Sequence, residues 1–114
     1  MRVYIRRRPT MSEILSNSRA YEEYEEDGEC SWRIEEEISP SELRTLLAPR
    51  LVRILEVLSQ RSMDVPTLAE RLDRSPTNVY SDIKLLSKYN IVEVRREDGR
   101  GVVSLLAEEI RVEL

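Results

Sequence analysis

The stretch that decides the fold is Val65–Val92, VPTLAERLDRSPTNVYSDIKLLSKYNIV. Val65, Leu68, Ala69 and Leu72 recur at helical spacing behind Asp64, a good helix cap, so a short helix is expected to end near Leu72. Asp73-Arg74 leaves room only for a tight turn. Ser75-Pro76 then repeats a cap-plus-proline start, and Val79, Ile83 and Leu86 fall at i, i+4 and i+7 on the inward face of a second helix. Ala69 is small where two helices crossing steeply through a tight turn would come closest, because large side chains there would force them apart. Asn90 suits a left-handed helix stop.

Upstream of this stretch, Ser39-Pro40-Ser-Glu42 carries a capping box with proline in the first turn. Leu43, Leu46 and Leu47 continue that helix until Pro49 interrupts it. Leu51, Ile54, Leu55 and Leu58 then form the buried stripe of another helix, from Arg50 to about Arg61. Downstream, Ile91–Arg96 and Val102–Leu106 are β-prone runs joined by Glu97-Asp-Gly-Arg-Gly101, which has the turn chemistry of a hairpin. Ile110–Leu114 alternates as a half-buried strand does. In the N-terminal part, Val3 and Ile5 suit a short strand, Thr10–Glu26 a loosely patterned helix, and Ser31–Glu35 a second strand with Trp32 and Ile34 on one face. Tyr4, Tyr21, Tyr24 and Trp32 read as core or interface residues.

A helix, a short helix, a tight turn, a second helix and a basic hairpin, in that order, make the layout of a winged helix-turn-helix. The expected class is α+β, mainly helical, with residues 1–38 as a strand-helix-strand extension and residues 39–114 as the winged helix.

Composition bounds the function. The chain has 114 residues, too few for a DNA-binding domain plus a separate sensor domain. With one cysteine, Cys30, and no histidine, neither an intrachain disulfide nor the usual zinc ligand sets can be assembled. The commonest general base is also missing, no phosphate loop or nucleophile elbow is present, and clustered glutamates are usually a solvated face, so no enzyme activity and no cofactor are expected. No long apolar run marks a signal or membrane span, so a cytoplasmic location is expected. The net charge of −4 opposes a simple DNA-coating role, but it is unevenly placed. Residues 1–49 hold 7 Lys/Arg against 11 Asp/Glu, whereas residues 50–114 hold 11 of each.

On the helix expected over 75–89, the positions left outside are Thr77, Asn78, Tyr80, Ser81, Lys84 and Lys88, with Asp82 off that face. A recognition helix enters the major groove by its first turns, so Thr77, Asn78, Tyr80 and Ser81 are candidates for base edges, and Lys84 and Lys88 for phosphates. Arg95, Arg96 and Arg100 flank the hairpin turn over 91–106, and Arg74 lies before the third helix. About five phosphate contacts would give a log-log salt slope of roughly −4 to −5 per protomer. Each residue also has a plainer reading: Asn78 supporting the helix start, the lysines on a solvated face, and Arg95 and Arg96 pairing with Glu97 and Asp98.

The segment 65–92, within a match over about 39–106, resembles archaeal winged-helix transcription regulators related to the MarR-like and ArsR-like groups. Leu68-Ala69-Glu70, Asn78-Val79, Asp82, Leu86 and Ile91-Val92 carry the likeness. The resemblance implies a homodimer that binds double-stranded DNA, with residues 1–38, and Ile110–Leu114, serving dimerisation. Many such relatives have arginine where this chain has Ser81, and the metal ligands of metal-sensing relatives are absent. A second function class is a winged helix acting as a protein-interaction module in a transcription or processing complex, with the acidic segment Glu22–Glu29 on a basic partner.

Overall fold

The computed structural model describes all residues, Met1–Leu114. Its elements are β1 (Arg2–Arg7), α1 (Met11–Leu15), α2 (Ser18–Asp27), β2 (Ile34–Ile38), α3 (Pro40–Leu46), α4 (Pro49–Leu58), β3 (Met63–Asp64), α5 (Val65–Leu72), α6 (Pro76–Lys88), β4 (Val92–Glu97), β5 (Arg100–Leu105) and β6 (Ala107–Glu113). The strands form two antiparallel sheets, ordered β2-β1-β6 and β3-β5-β4.

The central helices form where the local signals put them. Ser39 Oγ accepts from the Glu42 N–H at 3.0 Å while the Glu42 carboxylate accepts from the Ser39 N–H at 2.9 Å. Asp64 Oδ1 accepts from the Thr67 N–H at 2.9 Å, and Ser75 Oγ from the Asn78 N–H at 3.3 Å. The Glu42 and Asp64 carboxyls both sit below their ordinary pKa, Glu42 because the Ser39 N–H and hydroxyl stabilise its charged form and Asp64 because the Thr67 hydroxyl and N–H do. Asp73 at φ 53° and Asn90 at φ 56° take the left-handed conformation that ends α5 and follows α6. Ala69 is buried within the core that α5 and α6 share. The hairpin turn narrows to Asp98 at φ 50° and Gly99 at φ 78°, the two positive values of a type I′ turn.

One core holds the molecule together. Leu46, Leu51, Ile54, Leu58, Leu68, Leu72, Val79, Ile83, Leu86, Ile91, Val92 and Val103 are buried in it, and Ile5 of β1 joins them. A smaller cluster of Ile14, Ala20 and Cys30, with Tyr24 and Trp32 against it, packs α1 and α2 together. Cys30 is a buried packing residue there.

The N-terminal part differs from expectation in two places. The helix expected over Thr10–Glu26 is broken into α1 and α2, because Asn17 Oδ1 accepts from the Ala20 N–H at 3.0 Å and restarts the helix. The strand expected over Ser31–Glu35 runs instead from Ile34 to Ile38, and Trp32 packs on the small cluster. Three consecutive glutamates look like a solvated run, but β1 lies opposite them: Arg6 faces Glu35, and the buried Arg7 donates from Nε to Glu36 at 2.5 Å. Arg7 also holds Glu13 of α1 through two bonds of 2.8 and 3.0 Å. The hairpin gains a short third strand, since Met63 pairs with Val103 and Asp64 with Val102. β6 begins at Ala107, earlier than the expected Ile110, and pairs along β1 with a bulge at Glu108.

Candidate nucleic-acid interface

α6 buries Val79, Asp82, Ile83 and Leu86, which leaves Thr77, Asn78, Tyr80, Ser81, Lys84 and Lys88 exposed on its other side. That flank carries no acidic side chain. It is formed because the apolar positions at i, i+4 and i+7 bind α6 to the core and turn the intervening positions outward. Asn78 contributes its backbone N–H to the Ser75 cap, so capping does not consume its exposed side-chain amide. Tyr80 is half exposed, and the Lys84 ammonium lies 5.8 Å from its ring centroid, a cation–π distance.

Beside this flank, Asp64, Pro66, Tyr80, Val94, Arg100 and Gly101 line an open groove of about 590 Å³ between α6 and the hairpin. Arg100 is largely exposed, 3.6 Å from the Asp64 carboxylate. Arg96 is exposed and donates to the Gly99 carbonyl at 3.1 Å, which anchors it at the hairpin tip. Val94 is an exposed apolar residue of the groove that reading by residue type passes over. Its alternation with Val92 and Arg96 on one face of β4 is the signal that places it there.

Two of the expected contact residues are committed elsewhere. Arg74 turns inward: its Nη2 donates to Asp82 Oδ2 at 2.8 Å, and its Nη1 is buried without a partner. Arg95, on the opposite face of β4 from Arg96, donates from Nε to Glu93 at 2.8 Å. Glu93 in turn accepts from the Met11 N–H at 2.7 Å. Arg95 therefore faces the N-terminal extension, where it lines a small cavity with Arg8, Arg33 and Cys30. The reason is strand alternation: neighbouring arginines on one strand cannot serve the same face.

Asp82 is the hub that sequence reasoning left without a role. Its side chain is 9% exposed, and besides Arg74 it accepts from Nε of Arg50, in the first turn of α4, at 3.2 Å. One carboxylate thus fixes α6 to α4 and to the α5–α6 turn. No group of three or more Cys, Asp or Glu side chains gathers to hold a metal ion, and no helix is long and apolar enough to cross a membrane.

Solved structures share this fold over part of the chain. The chain is similar to the homodimeric winged helix-turn-helix DNA-binding domain (fragment 1–100) of Mb0332 from Mycobacterium bovis, described as a possible ArsR-family transcriptional regulator. The TM-score is 0.53 and the identity 25%, over 56% of this chain and 59% of that one, so the match spans less than two thirds of the Mb0332 fragment. HlyU from Vibrio cholerae N16961 gives a TM-score of 0.52 at 23% identity, over 56% of this chain and 70% of that one, and supports the fold. Among curated proteins no sequence matches the chain. The fold is a winged helix-turn-helix, and because residues 46–112, more than half of the chain, match the family model described as HVO_A0114, the chain belongs to that family.

Proposed function

We propose that this protein is a transcription regulator of the archaeal MarR/ArsR-like kind, which binds double-stranded DNA sequence-specifically as a homodimer. α6 enters the major groove, and the β4–β5 hairpin is the wing. Residues 39–114 supply the DNA-binding part, and residues 1–38 the extension that brings two copies together. The observation that carries this reading is the exposed, acid-free flank of α6 beside a groove edged by Arg100. Thr77, Asn78 and Ser81 offer hydrogen bonds to base edges, and the Tyr80 ring with Val94 offers an apolar surface to a thymine methyl or a sugar. Lys84, Lys88, Arg96 and Arg100 are the exposed cations for phosphates, Arg100 by exchanging its contact with Asp64 and Lys88 from beside Glu42, while Arg74 acts through Asp82 as a positioning residue. The similarity to a domain described as DNA-binding and homodimeric supports the same reading.

Four phosphate contacts give a log-log salt slope of about −3.6 per protomer, and removing one makes it shallower by about 0.9. The test is duplex binding across a salt series for wild type, Lys84→Ala and Arg100→Ala, with the sequence found by selecting bound genomic fragments. Weaker binding with a shallower slope supports the proposal. No duplex binding near about 50 mM salt, where electrostatic contacts are strong, would refute it and turn attention to a protein partner for the acidic end of α2.

A further inference from the structure

β6 ends the β2-β1-β6 sheet with an open edge that differs from the opposite one. The β2 edge carries Glu35, Glu36 and Glu37 in a row, so a second copy of β2 would set carboxylate against carboxylate. β6 reads Ile110-Arg-Val-Glu-Leu114, apolar on one face and alternating in charge on the other. Ile110 and Val112 lie opposite Ile5 and Val3, which are buried, yet are themselves 36% and 44% exposed. The apolar face of the sheet therefore stops abruptly at β6, and Leu114 beyond it is fully exposed. Next to Ile110, Val52 and Leu55 of α4 line an open apolar groove of about 280 Å³.

We propose that this edge pairs with the β6 edge of a second copy, antiparallel and centred on Val112, so that the two sheets become one of six strands. This deepens the two-copy reading above by naming its contact. In that register Val112 faces Val112 once, on the symmetry axis, while Ile110 faces Leu114 of the other copy and Arg111 faces Glu113 of the other copy, each of these two pairs occurring twice. From Ile110 to Leu114 every apolar side chain meets an apolar one, and Arg111, which bonds Glu35 at 2.6 Å and Glu113 at 3.3 Å in its own copy, also meets Glu113 of the other. Leu114 of the second copy, beside Ile110, is carried to the groove of Val52 and Leu55. Neighbouring registers lose this match. Centring on Arg111 sets arginine on arginine and Glu109 on Glu113. Centring on Ile110 sets Val112 against Glu108, which the bulge commits to Arg33 at 2.6 Å.

The test is the mass of the full chain in solution, by size exclusion with light scattering, together with cross-linking. Wild type is expected at twice 13.4 kDa. Val112→Lys, which sets two ammonium groups face to face, is expected to weaken the dimer by about 100-fold or more, with the circular dichroism of the fold retained. In a Cys30→Ser background, Val112→Cys is expected to form an intermolecular disulfide. Directly opposed residues stand about 4.5–5.5 Å apart at Cα, within the disulfide range. Ile110→Cys, displaced about 13 Å along the strand from its own copy, is expected to stay reduced. A dimer that survives Val112→Lys, or that cross-links at residue 110 in place of 112, overturns this interface and leaves the two-copy reading standing. A monomeric wild type removes both, and the DNA-binding test then stands on its own.

Discussion

Replacing Asp82 with alanine removes the one carboxylate that ties α6 to α4 and to the α5–α6 turn. The two arginines it holds do not respond alike. Arg50 is 53% exposed, so water takes over its lost bond and the loss is worth under about 1 kcal/mol. Arg74 is 24% exposed and already has one buried nitrogen without a partner, so stranding a second nitrogen costs about 1–2 kcal/mol. The sum is about 2 kcal/mol. At an unfolding entropy of about 2.1 cal/mol/K per residue, this lowers the melting temperature by roughly 8–10 °C. Thermal unfolding followed by circular dichroism reads the shift. A double-mutant cycle with Arg74→Ala should return a coupling of about 1–2 kcal/mol, and a cycle with Arg50→Ala a smaller one. A melting temperature within about 2 °C of wild type, or additive effects of Asp82→Ala and Arg74→Ala, would refute the hub.

The Glu13 carboxyl is held down to about 2 by the Arg7 guanidinium, helped by the Thr10 N–H and hydroxyl against the opposing effect of burial. A depressed carboxyl contributes stability that is fully present above its unfolded value of 4.5 and is lost as pH falls through about 2. Because the Glu13 side chain is 33% exposed, solvent screening reduces that contribution to about 1–2 kcal/mol. Arg7→Met should lower stability at pH 7 by a similar amount, since both carboxylates it releases can hydrate. Urea midpoints measured from neutral to acid pH should show the gap between variant and wild type closing over that acid window. Gly99→Ala meets no atom within 4 Å of the added Cβ, so only the strain of φ 78° acts. Thermal melts should show a loss of about 1 kcal/mol with the hairpin retained.

The helical half of the fold was written locally. Caps at Ser39, Asp64 and Ser75, prolines at Pro40, Pro49 and Pro76, and leucine stripes at helical spacing each act within a few residues, so α3 to α6 were legible from the chain alone. The exposed flank of α6 followed from the same periodicity, because naming the buried positions of a helix also names the exposed ones. Asp73, Asn90 and Gly99 fixed the turns through backbone conformation, which is also a local property.

What depended on distant partners was settled only by the tertiary structure. Glu35, Glu36 and Glu37 form a strand because β1 lies beside them with Arg6 and Arg7, and β3 exists because Val102 and Val103 offer it an edge. Arg74 and Arg95 looked like free cations in the sequence; Asp82 and Glu93 neutralise them in the fold. A sequence supplies the charge of a side chain and its period along an element. Which of two faces a strand residue takes, and which opposite charge waits there, is decided by packing between segments far apart in the chain, and that packing sets which cations remain free to meet a phosphate.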